Sequence, residues 1–307
     1  MNITMLHDLD TGFMAATLKP AFEALGHTCT IVQTLTTYLE SDTSHIDHLL
    51  TETEDLEPLK EVFKDTDLFI LRAITDITLK GIGVLPYITP HNTIYKIHGS
   101  ELRDRNIPYS LRTWRINWYN KEPLVCGCRD PSLFSLYRKN SMQHIERPCA
   151  FDTFPKRRRN KKTPFALHTP TNIPKKGTQL LTDTWKSHIP LHIVSGVSRT
   201  DALKMKTQAS YYIDNLGPFS GMYCMNSVEA WYYRIPVFSR YSNMDMAVCP
   251  ELPDLVHNTT EKTIQNDIEN YEPDKKQLNN ARKYALHTHD PKRIAQQYIN
   301  LAKEIIQ

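Results

Sequence analysis

The sequence predicts an α/β protein made of two domains, each with its own parallel β-sheet. Apolar runs of strand length alternate with helix-like segments over most of the 307 residues. A proline-bounded and strongly basic segment interrupts this alternation between residues 148 and 164, after which it restarts. At about 100–200 residues per domain, the length also fits two domains that each bury their own core.

The first half contains the opening of a parallel sheet. Predicted strands cover residues 3–6, 28–32, 67–72, 93–97 and 124–126, and predicted helices cover 13–25, 49–62, 74–82 and 131–138. The first turn carries Gly12 but no Gly-x-Gly-x-x-Gly sequence, so it is not a dinucleotide-binding fingerprint. We expect a Rossmann-like N-terminal domain over residues 1–152, followed by a basic linker over 153–163.

The second half repeats the alternation and predicts a C-terminal Rossmann-like domain over residues 164–290. Its predicted strands cover 165–167, 191–194, 211–213 and 235–238, and its predicted helices cover 178–186, 200–208 and 226–233. A last amphipathic helix over 291–306 carries Ile294, Tyr298, Leu301 and Ile305 on one face.

Composition excludes several classes of protein. The net charge is only +3, so no long-range field requires a nucleic acid or a membrane as partner. No stretch approaches about 18 apolar residues, and the first ten residues lack the apolar core of a signal peptide, so we expect a cytoplasmic protein with no transmembrane segment. The six cysteines are scattered without a Cys-x-x-Cys pair, which favours free thiols in a reducing compartment and disfavours a zinc site.

Two charged residues follow predicted strands in the second half. Lys176 lies beside Lys175 in a polar loop, and Gly177 then opens a helix whose N–H groups favour anions. Glu229 interrupts an apolar stretch, where a carboxylate needs a partner. A cation and a carboxylate beyond two strand ends suit a nucleotide diphosphate, with the cation on phosphate and the carboxylate on the ribose hydroxyls. The alternatives are a solvated loop lysine and an exposed helix glutamate.

Three segments around these residues carry a family resemblance. They are His168–Thr178 (HTPTNIPKKGT), Gly196–Leu203 (GVSRTDAL) and Gly221–Val237 (GMYCMNSVEAWYYRIPV). Together they resemble the nucleotide-sugar half of GT-B glycosyltransferases, and within these the retaining, family 4-like group (glycosyltransferase group 1). The first half is similar more loosely, through residues 9–12 and the HGSELR sequence that begins at His98. The resemblance implies two facing Rossmann-like domains, with the helix at 291–307 returning to the first.

The resemblance also implies roles for particular residues. Lys176 would bind the donor diphosphate, Glu229 would hold the ribose, and His98 would sit near the reacting sugar as a third catalytic residue. Gly12 would let the backbone approach the diphosphate or the acceptor. The implied donor-binding set is Gly12, Thr171, Lys175, Lys176, Gly196, Gly221, Met225, Asn226, Ser227 and Glu229. The donor would be a UDP- or GDP-linked sugar such as UDP-glucose, with no tightly bound cofactor and no metal required.

The chain departs from the family pattern at two positions. Thr171 stands where members often carry an arginine, and Gly221 stands where they often carry a glutamate. Losing the arginine removes one charge that would stabilise a departing diphosphate. Lys175 or Arg199 are candidate replacements.

The acceptor is left open between a saccharide or lipid and a nucleic acid such as a hydroxymethylated base in DNA. Residues 156–162 hold six cations in seven positions, and a basic and aromatic cluster lies further upstream, which suits phosphate contact and base stacking. The candidates are Arg103, Arg112, Trp114, Arg115, Lys156, Arg157, Arg158 and Arg159. A solvated linker and a core-covering segment are the alternatives for these two features. A nucleotide-sugar epimerase of the same fold and a non-catalytic nucleotide-sugar-binding protein remain rival functions.

Overall fold

The structure of the protein is a computed structural model. It describes residues 1–8, 10, 13–34, 44–50, 56–72, 81–97, 124–127, 143–157, 163–217 and 223–306, with backbone alone at 97 and 124–127. Two compact units divide the chain. The first contains the described residues up to Pro148 and those from Pro291 onward, and the second contains those from Cys149 to Asp290.

The first unit is built on a seven-stranded sheet with the order β3-β2-β1-β4-β5-β6-β7. The strands are β1 (Asn2–His7), β2 (Thr28–Gln33), β3 (His48–Leu49), β4 (Leu68–Arg72), β5 (Thr93–Ile97), β6 (Leu124–Gly127) and β7 (Gln143–His144). Every neighbouring pair is parallel. All five residues of β4 are buried, as expected for a parallel sheet covered on both faces.

Helices cover this sheet. Within the described ranges they are Met14–Ala24 and Glu57–Lys64, a 3₁₀ turn at Leu85–Tyr87, and the closing helix Pro291–Ile305. The closing helix packs on Met14–Ala24, where the rings of Phe22 and Tyr298 meet edge to face with centroids 6.2 Å apart. Ile294, Tyr298 and Leu301 are buried there, so the predicted apolar face is the one that packs on the first unit.

The second unit contains a five-stranded parallel sheet with the order β12-β11-β10-β8-β9. Its strands are β8 (Ala166–His168), β9 (Leu191–Ile193), β10 (Tyr211–Ile213), β11 (Val237–Ser239) and β12 (His257–Asn258). Its helices are Ile173–Lys176, Thr178–Thr184, Arg199–Lys206, Met225–Tyr232, Asn243–Val248, Leu252–Leu255, Ile264–Glu269 and Lys275–Thr288, with a 3₁₀ turn at Phe151–Thr153. Trp231 is 1% exposed in the core between the sheet and the helix Lys275–Thr288.

The predicted strands agree with the structure to within two residues at each end, whereas the predicted helix over 49–62 is wrong in its first part. His48–Leu49 is a strand, and the helix begins at Glu57 with Pro58 in its first turn. Proline is favoured at this position because its fixed φ suits a helix start and its missing N–H has no partner there. The predicted helix over 131–138, and all but the end of that over 74–82, lie outside the described residues.

The first residues of the predicted basic linker pack on the second unit. Phe154 is buried in its core beside Phe151, which precedes the predicted linker, and the Tyr233 hydroxyl donates to the Pro155 carbonyl at 2.9 Å. Within the described part of the chain, no helix is long and apolar enough to cross a membrane.

Candidate functional site

The candidate site lies at the carboxyl edge of the second sheet, where its parallel strands end. Lys176 follows β8, Asp214 directly follows β10, and Arg199 follows β9. The helix Met225–Tyr232 carries Glu229 and begins at the same edge. We call this group of residues the carboxyl-edge site. Ligands of open α/β sheets bind at this edge.

Two glycines bring the loop after β8 onto the loop after β10. Gly177 has a left-handed φ of 70°, and a Cβ built on it would lie 2.7 Å from the Gly217 nitrogen. A Cβ on Gly217 would collide with the carbonyl oxygen of Lys175. The Leu216 N–H donates to the Lys176 carbonyl at 3.1 Å across this contact. Only glycine permits backbones this close, so both glycines help to set the position of Lys176.

Lys176 is bound to a carboxylate that the sequence analysis did not single out. Its Nζ lies 2.6 Å from Oδ1 of Asp214 and 2.7 Å from Sγ of Cys224. Asp214 Oδ2 accepts from the Cys224 N–H at 2.9 Å and from the Ser227 hydroxyl at 2.5 Å. Burial alone would lower the pKa of Lys176, but the Asp214 carboxylate outweighs it, so the pKa is raised and the lysine stays charged. Asp214 therefore fixes both the position and the charge of Lys176.

Glu229 is buried and held by two cations. Arg199 Nε donates to Oε1 at 3.0 Å, and Lys206 Nζ donates to Oε2. The Glu229 side chain is 5% exposed and that of Lys206 is fully buried. Burial would raise the pKa of Glu229, but Lys206 and then Arg199 outweigh it, so the pKa lies below its usual range. The partner that a buried carboxylate requires is thus supplied by the protein itself, and the expectation that a ribose would be that partner is not needed to explain its burial.

Lys206 is a second residue that the sequence analysis missed. Its ammonium also donates to Asn226 Oδ1 at 2.6 Å and lies 5.1 Å from the centre of the Tyr212 ring. The amide nitrogen of Asn226 in turn donates to the Thr169 carbonyl at 3.1 Å. No sequence signal distinguishes Lys206 from the nearby exposed Lys204, because its burial depends on the packing of its helix against Glu229.

The carboxyl-edge site has an excess of positive charge. Three cations (Lys176, Arg199 and Lys206) are paired with the two carboxylates of Asp214 and Glu229. At the start of the helix Met225–Tyr232, the Ser227 N–H bonds to the Cys224 carbonyl at 2.9 Å. The N–H groups of Met225 and Asn226 have no acceptor among the described residues. Cations and open helix N–H groups together suit an anion.

The remaining donor candidates lie on the rim of this site. Thr171 is exposed in the loop after β8, Lys175 is exposed on the short helix Ile173–Lys176 that follows, and Gly196 is exposed after β9 with a left-handed φ of 70°. Arg199 lies 5.4 Å from the centre of the Phe154 ring while its Nε is bonded to Glu229. The Nε of Arg199 is therefore already bonded, and Lys175 is the more exposed of the two residues that the sequence analysis named as candidate replacements for an arginine at position 171.

His168 connects the end of β8 to the rest of the second unit. Its Nδ1 donates to the Ile213 carbonyl at 2.8 Å, and its Nε2 accepts from the Thr178 hydroxyl at 2.9 Å. Burial lowers the pKa of His168 to about 4. It is therefore neutral at pH 7 and has the bonding of a structural residue.

In the first unit, the start of the first helix is occupied by an internal anion. The Asp10 carboxylate accepts from the N–H groups of Met14, Ala15 and Ala16 at 2.8, 3.0 and 3.1 Å and is paired with Arg72. Burial would raise the pKa of Asp10, but Arg72 outweighs it and holds that pKa below its usual range. Asp10 thus fills the anion position at this helix start.

Several predicted site residues lie outside the part of the chain that the structure describes. They are Gly12, His98, Gly221, Arg103, Arg112, Trp114, Arg115, Arg158 and Arg159. Of the basic segment, Lys156 is exposed and Arg157 donates to the backbone carbonyls of Tyr233 and Arg234. No group of three histidine, cysteine, aspartate or glutamate side chains suited to a metal ion is found in the described ranges.

Comparison with known proteins identifies the fold. No protein-family model matches the sequence, and no curated protein matches it. Among solved structures, a glycosyltransferase from Rickettsia africae is similar with a TM-score of 0.72 and 12% identity, over 100% of this chain and 98% of that one. Sucrose-phosphate synthase from Thermosynechococcus elongatus gives a TM-score of 0.69 and 11% identity over 99% of both chains. A co-structure of S. aureus MnaA with UDP gives a TM-score of 0.55 and 13% identity, over 99% of this chain and 96% of that one.

The predicted fold class is confirmed by three findings. The chain has two Rossmann-like units with parallel sheets, its last helix returns to the first unit, and it is similar to these structures over its full length. The chain has the GT-B fold.

Proposed function

We propose that the chain is a glycosyltransferase that moves a sugar from a nucleotide diphosphate sugar to a hydroxyl acceptor, with retention of configuration. The observation that carries the proposal is the carboxyl-edge site, where three cations are paired with two carboxylates beside two open helix N–H groups. A diphosphate would supply negative charge to this net positive site. The glycosyltransferase and the UDP-containing structure among the similar folds support the same donor class.

In this proposal, Lys176 stabilises the charge that grows on the leaving diphosphate. Its ammonium is pre-positioned by Asp214, so little reorganisation is needed when the bond to the sugar breaks. The N–H groups of Met225 and Asn226 would take further phosphate oxygens. Neither contribution requires a metal ion.

Glu229 would hold the ribose. A carboxylate offers about four lone-pair positions, and Arg199 and Lys206 use two of them. The remaining positions can accept both hydroxyls of a ribose diol. Because the two cations keep Glu229 ionised, it can act only as an acceptor, which selects hydroxyl donors at that point.

The first unit would supply the acceptor side, with His98 near the reacting sugar and Gly12 at the backbone approach. Both a saccharide or lipid and a hydroxymethylated DNA base remain acceptor classes. The basic segment 156–162 favours DNA, but its described arginine, Arg157, is engaged with backbone carbonyls, which also suits a structural role.

The proposal is tested by incubating the protein with a panel of UDP- and GDP-linked sugars and following the products by mass spectrometry. Lys176→Ala should lower donor turnover about 100-fold or more, the usual effect of removing a group that stabilises transition-state charge. Lys186→Ala, which removes an exposed lysine of the same unit, is the matched control and should retain wild-type turnover.

Lys176→Ala alone leaves Asp214 buried without its cation, so the variant could lose activity by unfolding. The double variant Lys176→Ala/Asp214→Asn removes the pair as a unit and keeps the amide in place of the carboxylate. Wild-type turnover in this folded double variant would refute the role of Lys176.

The same experiment separates the rival functions. An epimerase would release free nucleotide and an altered sugar without any acceptor, whereas a binding protein would retain the donor unchanged. Sugar transfer that depends on an added saccharide, lipid or hydroxymethylated DNA would support the proposal and identify the acceptor class.

A further inference from the structure

A cavity lies at the opposite, amino-terminal edge of the second sheet. It has a volume of about 600 Å³. Pro164 precedes β8, Tyr211 begins β10 and Pro236 precedes β11, and the first turn of the helix Lys275–Thr288 completes the wall. Because parallel strands begin at one edge and end at the other, this amino-edge cavity is separated from the carboxyl-edge site by the strands themselves. Its volume is in the range of small-molecule sites.

Three cations, Arg157, Arg234 and Lys275, line this cavity. None of the lining residues that the structure describes carries a carboxylate. Arg234 Nε donates to the Asn279 side-chain oxygen at 2.7 Å, and neither Arg234 nor Lys275 forms an ion pair within the described ranges. The nearby Asp274 is not a lining residue, and its carboxylate caps the following helix by accepting from the Lys276 N–H at 2.7 Å.

Arg234 occupies a backbone position that normally favours glycine. Its φ is 53°, in the left-handed region. It follows the helix Met225–Tyr232 in a Schellman turn. The Arg234 N–H donates to the Trp231 carbonyl at 2.9 Å, and the Ile235 N–H donates to the Ala230 carbonyl at 3.0 Å. A non-glycine residue here costs stability, and strain of this kind is concentrated at functional positions. The strained residue is the one that places a guanidinium in the cavity.

We infer that the amino-edge cavity binds a phosphate-bearing ligand. Guanidinium groups match phosphate oxygens in pairs, and several cations without a carboxylate favour a multiply charged anion. The rings of Tyr211 and Tyr271, nearly perpendicular at 86° with centroids 6.2 Å apart, offer apolar surface beside the cations. The phosphate can belong to a small phosphorylated molecule or to a nucleic-acid strand, since the basic run continues in sequence from Arg157. This site is independent of the proposed sugar transfer.

The test is calorimetric titration at low salt with two probes, inorganic pyrophosphate and a short single-stranded DNA. Arg234→Gly removes the guanidinium and relieves the left-handed strain, so this variant should melt at or above the wild-type temperature. Its affinity for the probe should nevertheless fall about tenfold, the usual effect of losing one charge-assisted hydrogen bond. Adding Lys275→Ala should lower the affinity further. Lys262→Ala removes an exposed cation of the same unit that does not line the cavity and is the matched control.

The resonance of the Arg234 Nε–H, followed by NMR, separates binding here from binding at the carboxyl-edge site. A shift on adding probe, together with loss of affinity in the Arg234 and Lys275 variants alone, supports the inference. If the DNA binds more tightly than pyrophosphate and its affinity depends more on salt, the phosphate belongs to a nucleic acid. If pyrophosphate binds as tightly as the DNA or more tightly, the phosphate belongs to a small molecule. The inference would be overturned if the wild type bound neither probe, if the Arg234 resonance did not move, or if Lys262→Ala lost as much affinity as the Arg234 variant. Donor turnover should be unchanged in all these variants, so the result does not depend on the proposed transferase activity.

Discussion

The buried pair of Glu229 and Lys206 allows a quantitative test of how the carboxyl-edge site is held together. The two side chains are 5% and 0% exposed and are bonded through Lys206 Nζ and Glu229 Oε2. Removing one partner of such a pair costs about 3–5 kcal/mol, because the other charge is left buried. We expect Glu229→Gln to lie in this range. Lys206→Met should lie at its lower end, since Arg199 still neutralises Glu229.

The double variant Glu229→Gln/Lys206→Met should cost less than the sum of the two single changes. The expected coupling free energy is about 1–3 kcal/mol, as for residues in direct contact. Urea unfolding at pH 7, followed by tryptophan fluorescence, measures these free energies of unfolding. Trp231 is a suitable probe because it is 1% exposed on the same helix as Glu229.

Additivity of the two changes to within about 0.5 kcal/mol would refute the reasoning, because it would show that the pair is not coupled. UDP titration of the folded variants distinguishes structural from ligand-binding roles. If Glu229 holds the ribose, Glu229→Gln should weaken UDP binding more than Lys206→Met does. Equal effects would leave Glu229 with a structural role alone.

Two further predictions concern pH and backbone contact. Burial lowers the pKa of both His7 and His168 to about 4 from an ordinary value of 6.5. On acidification, these two histidines therefore take up protons in the unfolded chain before they do so in the folded one, and the free energy of unfolding falls as the pH drops from about 6.5 to 4. At pH 5 the loss is about 2 kcal/mol for each histidine, and urea midpoints that are equal at pH 7 and pH 5 would contradict it. Gly217→Ala should displace the Lys175 carbonyl, costing about 1–3 kcal/mol and weakening UDP binding, as measured by urea unfolding and UDP titration. Gly81→Ala, whose added Cβ meets no atom within 4 Å, is the control and should change neither quantity.

The architecture could be predicted from the sequence because its signals are local. Apolar runs such as Asp67–Arg72 and the amphipathic pattern of the closing helix depend on residues only a few positions apart. Strands of two residues, such as β3, carry no period and could not be found in this way. Pro58 was the available sequence signal that the helix after β3 begins at Glu57 rather than at residue 49.

The site was predictable only in part because its contacts are distant in sequence. Lys176 and Glu229 are recognisable from their positions after strands, but their partners come from other loops and helices. Asp214 is 38 residues from Lys176, and Lys206 is 23 residues from Glu229. Such pairs become visible only when the order of the strands is known. An aspartate directly after an apolar strand was a usable signal for Asp214.

Because Asp214 is paired with Lys176, this carboxylate competes with any anionic ligand for the lysine. A ligand that approaches Lys176 must displace or share a carboxylate already 2.6 Å away, while Asp214 keeps its bonds to the Cys224 N–H and the Ser227 hydroxyl. Singly charged anions common in the cell gain little by such an exchange, whereas a dianion gains more. In the proposed donor site, the pair would therefore lower the affinity for every anion and raise the preference for a highly charged one.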